Sequence, residues 1–174
     1  GTVTGSKYLL TLDDSRILVD CGLYQGFKTL RLRNWAAPPF QPSDIDAVVL
    51  THAHLDHSGY LPLLVKNGFR GPVFCTEATR ELCGILLPDS GHIQEKDAEF
   101  ANRHGYSKHK PALPLYTADD AKASLKRFKT VAFDTAHALK GGARLHFRYA
   151  GHILGAAMVD IQYGTKTILF SGDL

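Results

Sequence analysis

The sequence predicts an α/β layered domain, and three observations carry that expectation. Apolar runs bounded by turn residues alternate with stretches of helical periodicity: Ala47–Leu50 precedes Leu61, Leu64 and Val65, and Pro72–Cys75 precedes a segment capped by Thr76. The last third is different, a series of strand-like runs separated mostly by glycine turns. The chain has 174 residues, 44% hydrophobic and 21% charged, which suits one compact domain with a sizeable core.

Taken in order, Tyr8–Thr11 and Ile17–Asp20 read as two strands joined by the polar turn Asp13-Asp14-Ser15. Gly22 and Gly26 mark loop backbone, and Lys28, Arg31 and Arg33 read as a solvated basic stretch. Three prolines between Ala36 and Ser43 predict a loop before the buried strand Ala47–Leu50. Ser58-Gly59 then opens a short helix that tolerates Pro62 in its first turn and closes at Asn67-Gly68. Thr76 is an N-cap for a helix through about Leu86, with Glu77 suited to the positive end of the dipole. Ile93–Asn102 is a second helical stretch, and Arg103–Pro114, with His104, Lys108, His109 and Lys110, reads as a basic loop able to hold a polyanion electrostatically. The loosely spaced His92, His104 and His109 read as solvent histidines. Thr117 caps a helix through about Phe128, with Asp119 and Asp120 in its first turn and Lys126 and Arg127 late. Thr130–Phe133, Ala143–Tyr149, Ala156–Tyr163 and Thr167–Phe170 complete the strands, and the alternation around Leu145, Phe147 and Tyr149 turns His146 away from the core.

The stretch with the most chemistry is Thr51–Leu64, THAHLDHSGYLPLL, where His52, His54, Asp56 and His57 follow directly on a buried strand. Residues two apart in extended chain point the same way, so His52 and His54 can offer ring nitrogens to one ion. Once the chain turns, Asp56 and His57 leave in another direction and can hold a second ion nearby, as in two-metal hydrolytic sites. With nine His in 174 residues, composition alone yields H-x-H-x-D-H in roughly two of a thousand such chains. The alternative is a polar surface turn that happens to carry histidines. Asp20, taken alone, is a turn former or cap at a strand end. His152, taken alone, carries no special weight.

Together with Val19-Asp20-Cys21-Gly22, Ala150-Gly151-His152-Ile153-Leu154-Gly155 and Phe170-Ser171-Gly172-Asp173, the H-x-H-x-D-H turn resembles the four motifs of the metallo-β-lactamase fold superfamily, in order. The wording VTGSKYLL, VDCGLYQG, AGHILGAA and ILFSGDL is similar to its β-CASP branch of RNA-processing nucleases. The resemblance covers nearly the whole chain. It implies part of an αββα sandwich with mixed sheets flanked by helices. It also implies a first zinc on His52, His54 and His152 and a second on Asp56, His57 and Asp173, with Asp173 shared by both ions. Manganese or iron also suits such ligands. Asp20 is then expected to orient the site rather than bind metal, and Asp56 to join a proton-delivering network. The ions are expected to activate water for in-line attack on an RNA phosphodiester, with the helix starting at Ser58 facing the anion.

In that family the chain continues past the fourth motif into an inserted domain and a last histidine ligand. The resemblance therefore implies that 1–174 is the N-terminal part of a metallo-β-lactamase domain, ending before the β-CASP insert. Alone, it is expected to keep the first metal site more readily than the second and to show little nuclease activity. A net charge of +3 permits a nucleic-acid partner, single-stranded RNA, without demanding one. No apolar run approaches a membrane span, no signal peptide opens the chain, and Cys21, Cys75 and Cys83 form neither a disulfide framework nor a close zinc pair, which suits a cytoplasmic protein. The sequence sets no oligomeric state, cleavage polarity or RNA-over-DNA preference. Two rivals are a hydrolase of a thioester, lactone or lactam on the same fold and a non-catalytic scaffold, although a scaffold paralogue tends to lose metal ligands that are all present here.

Overall fold

The computed structural model of the protein describes residues 4–174, so Val3, which opens the VTGSKYLL stretch, lies outside them. Two sheets form the frame. In the first, β1 (Tyr8–Thr11) pairs antiparallel with β2 (Arg16–Val19), with Tyr8 opposite Val19, as the hairpin reading requires. Strands β3 (Ala47–Val49), β4 (Val73–Cys75) and β5 (Phe128–Thr130) then add in parallel, giving the order β1-β2-β3-β4-β5. The second sheet is antiparallel, with β6 (His137–Ala138), β7 (Arg144–Tyr149), β8 (Ala157–Tyr163) and β9 (Lys166–Phe170) in sequence order.

Parallel neighbours need crossovers, and helices supply them. Strand β2 leads to β3 through α1 (Lys28–Arg31), and β3 leads to β4 through α2 (Leu55–Ser58) and α3 (Leu61–Lys66). Strand β4 leads to β5 through α4 (Glu77–His104) and α5 (Ala118–Leu125). The period-2 alternation of the first sheet then sorts its side chains into two cores. Leu18, Val48 and Val73 face the helices with Leu61, Leu64 and Leu87. Ile17, Val19, Val49 and Phe74 face the second sheet with Leu145, Phe147, Val159 and Ile161. The result is a helix layer, a mixed sheet and an antiparallel sheet, stacked in that order.

Several element boundaries differ from expectation, each for a physical reason. Thr76 does cap a helix, accepting from the Thr79 amide, but that helix runs 28 residues, through Pro88 and through the separate stretch expected at Ile93–Asn102. Pro88 breaks one backbone bond and disfavours a helix interior by about 3 kcal/mol. The buried stripe Thr79, Cys83, Leu87, Ser90 and Gly91 nevertheless continues across it, so packing on the core outweighs the local preference. Arg103 and His104 belong to this helix, and the loop begins only at Gly105, in the left-handed conformation that closes the last turn. The helix capped by Thr117, with the reciprocal Asp120 contact of a capping box, stops at Leu125, because Phe128 is needed beside Val73 as β5. The expected strand Thr130–Phe133 is thus shifted earlier, leaving Phe133 as an isolated bridge to Phe147. Part of the basic stretch is α1, and Arg33 places its guanidinium 4.4 Å from the Tyr24 ring centroid, so it is not simply solvated. His146 does face away from the core, opposite Asp160, although its Nδ1 is buried without a hydrogen bond. Among the described residues no helix is long and apolar enough to cross a membrane.

Cys21, Cys75 and Cys83 are free and buried. Burial pushes the Cys21 and Cys83 thiols up to about 12 and raises Cys75 as well. The folded chain is therefore expected to leave all three unreactive toward a disulfide reagent at mildly alkaline pH, and to release all three in denaturant. Rapid native labelling of any one would contradict this packing.

Candidate metal centre

The centre is assembled at one end of the first sheet, where β2 and β3 both finish. Asp20 follows β2 with a left-handed backbone, φ 58°, tolerated better by Asp than by most residues. Its amide still donates to the Val49 carbonyl at 2.8 Å, so the strand pairing carries on to the turn. The next residues are stitched to α2: the Cys21 amide donates to His57 O, the Leu23 amide to Leu55 O, and the Ser6 amide to Asp56 O, at 2.7 to 2.9 Å. Gly22 lies flat against the Asp56 carbonyl, and a Cβ there would overlap it, so only glycine permits this approach. Two motifs more than thirty residues apart are in this way one piece of backbone.

The buried Asp20 carboxylate orients two imidazoles. It accepts from the Thr51 amide at 2.8 Å, from the Thr51 hydroxyl at 2.9 Å and from His57 Nδ1 at 2.8 Å. The single hydroxyl proton of Thr51 is thereby committed to Asp20, so that oxygen can only accept from His52 Nδ1, 3.0 Å away. Both rings carry their proton on Nδ1 and turn a lone pair on Nε2 toward the same space. Burial disfavours charge on both members of the Asp20–His57 pair. The hydrogen bond between them, with the charges of Asp173 and Asp56, still raises His57 above the ordinary imidazole value. For Asp20 burial wins, raising its carboxyl above the ordinary value against the lowering pull of His57 and the two Thr51 donors.

Two distant loops close the site. Strand β7 leads into the loop that carries His152, and the Thr76 and Thr79 hydroxyls at the start of α4 grip that loop by the Gly155 carbonyl at 2.7 and 3.0 Å. After β9, Gly172 turns with φ 60° against Thr51, where a Cβ would stand 2.9 Å from the Thr51 Cβ. This aims Asp173 at the histidines. His54 Nδ1 is 3.1 Å from His52 Nε2 and 3.2 Å from His152 Nε2. Asp173 Oδ1 is 3.2 Å from His57 Nε2, while its Oδ2 is 3.7 Å from His152 Nε2 and 4.0 Å from His52 Nε2.

This donor set fits a divalent metal ion. One atom each from His52, His54, His152 and Asp173 lies within 4.8 Å of the others. Tetrahedral Zn–N bonds of about 2.0–2.1 Å set nitrogens about 3.3 Å apart, close to the spacing found here. His57 Nε2 is a second sign: it is buried and makes no well-angled hydrogen bond, a costly arrangement unless a ligand meets it.

The structure thus gathers His52, His54, His57, His152, Asp173 and Asp20. Asp56 stands in the first turn of α2, half-buried and near enough for its charge to act on His57, but outside the convergent four-ligand group. The expected helix start at Ser58 is corrected. Ser58 ends the one-turn α2, its hydroxyl donates to Ala53 O at 2.8 Å, and α3 begins only at Leu61, so no helix N-terminus at Ser58 faces the site. His92, His104 and His109 stay outside, exposed on or beyond α4. Sequence reasoning missed the positioning parts played by Thr51, Thr76 and Thr79. Only the place of Thr51 between a buried strand and His52 hinted at one of them.

Two outcomes are expected. Asp20→Ala, which frees both rings, should weaken zinc binding about 10- to 100-fold in a chelator competition; unchanged affinity would show that the rings need no such support. Burial, helped by His57 and His54, pushes His52 down to about 3 from an ordinary 6.5. Held neutral in the fold, it favours the folded chain above the unfolded value, and this contribution is lost as the pH falls below it. His57, with its raised value, acts in the opposite sense, its contribution fading as the pH rises. Comparison isolates the His52 share: as the pH of metal-free protein falls below 6.5, His52→Gln should lose less stability than the wild type in denaturant melts.

The profile of the metallo-beta-lactamase superfamily matches residues 1–174. Ribonuclease TTHA0252 of Thermus thermophilus is 37% identical over 172 residues, covering 99% of this chain and 35% of the relative. Transcription termination factor FttA of Cenarchaeum symbiosum is 34% identical over 180 residues, covering 100% of this chain and 26% of that protein. The chain therefore spans about a third or less of these relatives. Among solved structures, a metallo-beta-lactamase from Cronobacter sakazakii superposes with a TM-score of 0.55 at 24% identity, over 98% of this chain and 58% of that one, and shares the fold. With the four motifs and the two-sheet frame in place, the chain belongs to the metallo-beta-lactamase superfamily.

Proposed function

We propose that the chain carries the catalytic centre of a metal-dependent phosphodiester hydrolase acting on single-stranded RNA, and that it works in a cytoplasmic setting where its three thiols stay reduced. The observation that carries this reading is the convergence of His52, His54, His152 and Asp173 on one point, with His57 on the far side of Asp173. The similarity to a named ribonuclease supports the substrate class. Two zinc ions fit the donor chemistry, the first on His52, His54 and His152, the second on His57 and Asp56, with Asp173 between them; manganese or iron suits the same donors. The opposed distances from the two Asp173 oxygens to the two histidine groups support the shared position.

When bound, such ions lower the pKa of a coordinated water to near neutrality and stabilise charge on phosphoryl oxygens. The chain's own residues set the geometry. Asp20 and Thr51 fix the tautomers of His57 and His52, so that each ring keeps its lone pair inward. Thr76 and Thr79 hold the His152 loop. Asp56, half-buried in α2, would bind the second ion and join, with a histidine beyond these residues, a network that passes a proton toward a leaving oxygen; its charge acting on His57 supports its nearness to that site.

The test measures zinc per chain by mass spectrometry and follows hydrolysis of a single-stranded RNA oligomer beside a thioester and a lactam. We expect one tightly held ion, a second held weakly, and slow RNA cleavage that His152→Ala abolishes, with the other substrates untouched. Preferential turnover of the thioester or lactam would overturn the substrate class. Two tightly held ions with rapid turnover would overturn the assignment of the second site as the weaker one.

A further inference from the structure

On the other side of the His152 loop from the metal centre lies a cleft of about 720 Å3, walled by Val131, Phe133, Tyr149, Leu154 and Gly155 and flanked by Glu77. Tyr149 ends β7, three residues before His152, and is 68% exposed. Its ring stacks on Phe133 with centroids 3.8 Å apart and planes inclined by 13°. The pair therefore forms a backed aromatic plate whose remaining surface is open. Leu154, 72% exposed, extends the same wall. An exposed tyrosine and leucine, with the half-buried Phe133 behind them, give one hollow an apolar surface that a ligand, rather than water, satisfies.

The charge of the lining decides which part of a ligand fits. Among the described residues no lysine, arginine or histidine lines the cleft, and its one charged side chain is the carboxylate of Glu77. A phosphate would be repelled there and find no donor cation. A flat, uncharged π system would gain both stacking and apolar burial. On the proposed reading as an RNA hydrolase, on which this inference rests, the flat part of the substrate is the base.

We infer that this cleft is a nucleobase subsite, in which a base adjoining the scissile phosphate stacks on Tyr149 while the phosphate lies at the histidines. Phe133 holds the tyrosine ring in place, so little side-chain freedom is lost when a base arrives. Stacking of this kind accepts all four bases, because each has a π face, and it selects for a strand whose bases are unpaired. Tyr149 would be a binding residue for the substrate, with no part in holding metal.

The test uses the zinc-loaded chain and an uncleavable 2′-O-methyl RNA oligomer carrying 2-aminopurine, whose fluorescence is quenched on stacking. The wild-type chain is expected to quench it. Tyr149→Ala should weaken binding about tenfold or more, while Tyr149→Phe keeps it and the zinc content of both is unchanged. Tyr149→Leu, which preserves apolar bulk for the loop but no flat ring, should behave like Tyr149→Ala. An abasic oligomer should bind the wild type and Tyr149→Ala alike. If Tyr149→Ala and Tyr149→Leu bind the base-bearing oligomer as tightly as the wild type, the subsite is overturned and the RNA reading stands. If the zinc-loaded wild type binds no RNA, both fall.

Discussion

The Asp20 carboxylate is the constraint on which the centre depends. Removed from water, it would be costly to ionise, and it is satisfied by three donors from two parts of the chain: the amide and hydroxyl of Thr51 just after β3, and the ring of His57 in α2. Burial raises the Asp20 carboxyl above its ordinary value, and the converging donors from His57 and Thr51 pull against that rise. Its left-handed backbone is part of the same arrangement, since an extended residue here would carry the side chain on along the strand instead of under the metal turn.

From that point the geometry spreads outward through backbone contacts. The segment Cys21–Leu23 is hydrogen-bonded to α2, so the direction of His57 is set by the first sheet. The second sheet reaches the same corner from its own side: the Ala157 amide donates to Thr51 O, and Gly172 rests on Thr51. Thr51 thus touches both sheets and two of the oriented groups. Ligands far apart in sequence meet because the two sheets share a packed interface of Val19, Val49, Phe147 and Val159, which leaves little freedom to slide.

Much of this was legible in the sequence because it is local. The H-x-H-x-D-H spacing, the Thr76 and Thr117 caps, the Tyr8–Val19 hairpin and the alternation along β7 all depend on neighbours a few residues away. The four ordered motifs carried the rest of the ligand set, since nothing local distinguishes His152 or Asp173 from a surface residue. What stayed hidden was non-local. Pro88 reads as a breaker, and only the continuous buried face on either side of it shows why α4 survives. Phe128 reads as the end of a helix until Val73 is known to need a partner strand. Ser58 reads as a helix start, yet the backbone there is already closing one turn, anchored to Ala53. The threonines that hold the ligands in place are common residues with no signature, and their partners lie up to 79 positions away.

The loop of residues 150–156 is a shared wall. Its His152 borders the metal, its Ile153 and Leu154 border the aromatic cleft, and a single carbonyl at Gly155 ties it to α4. So short a partition has no slack to absorb a change on one side alone. A substitution within the loop itself bears on both sides at once, whereas one at Tyr149, which precedes the loop, alters only the cleft. Among changes confined to residues 150–156, what the protein grips and how firmly it keeps its ion would therefore vary as one trait.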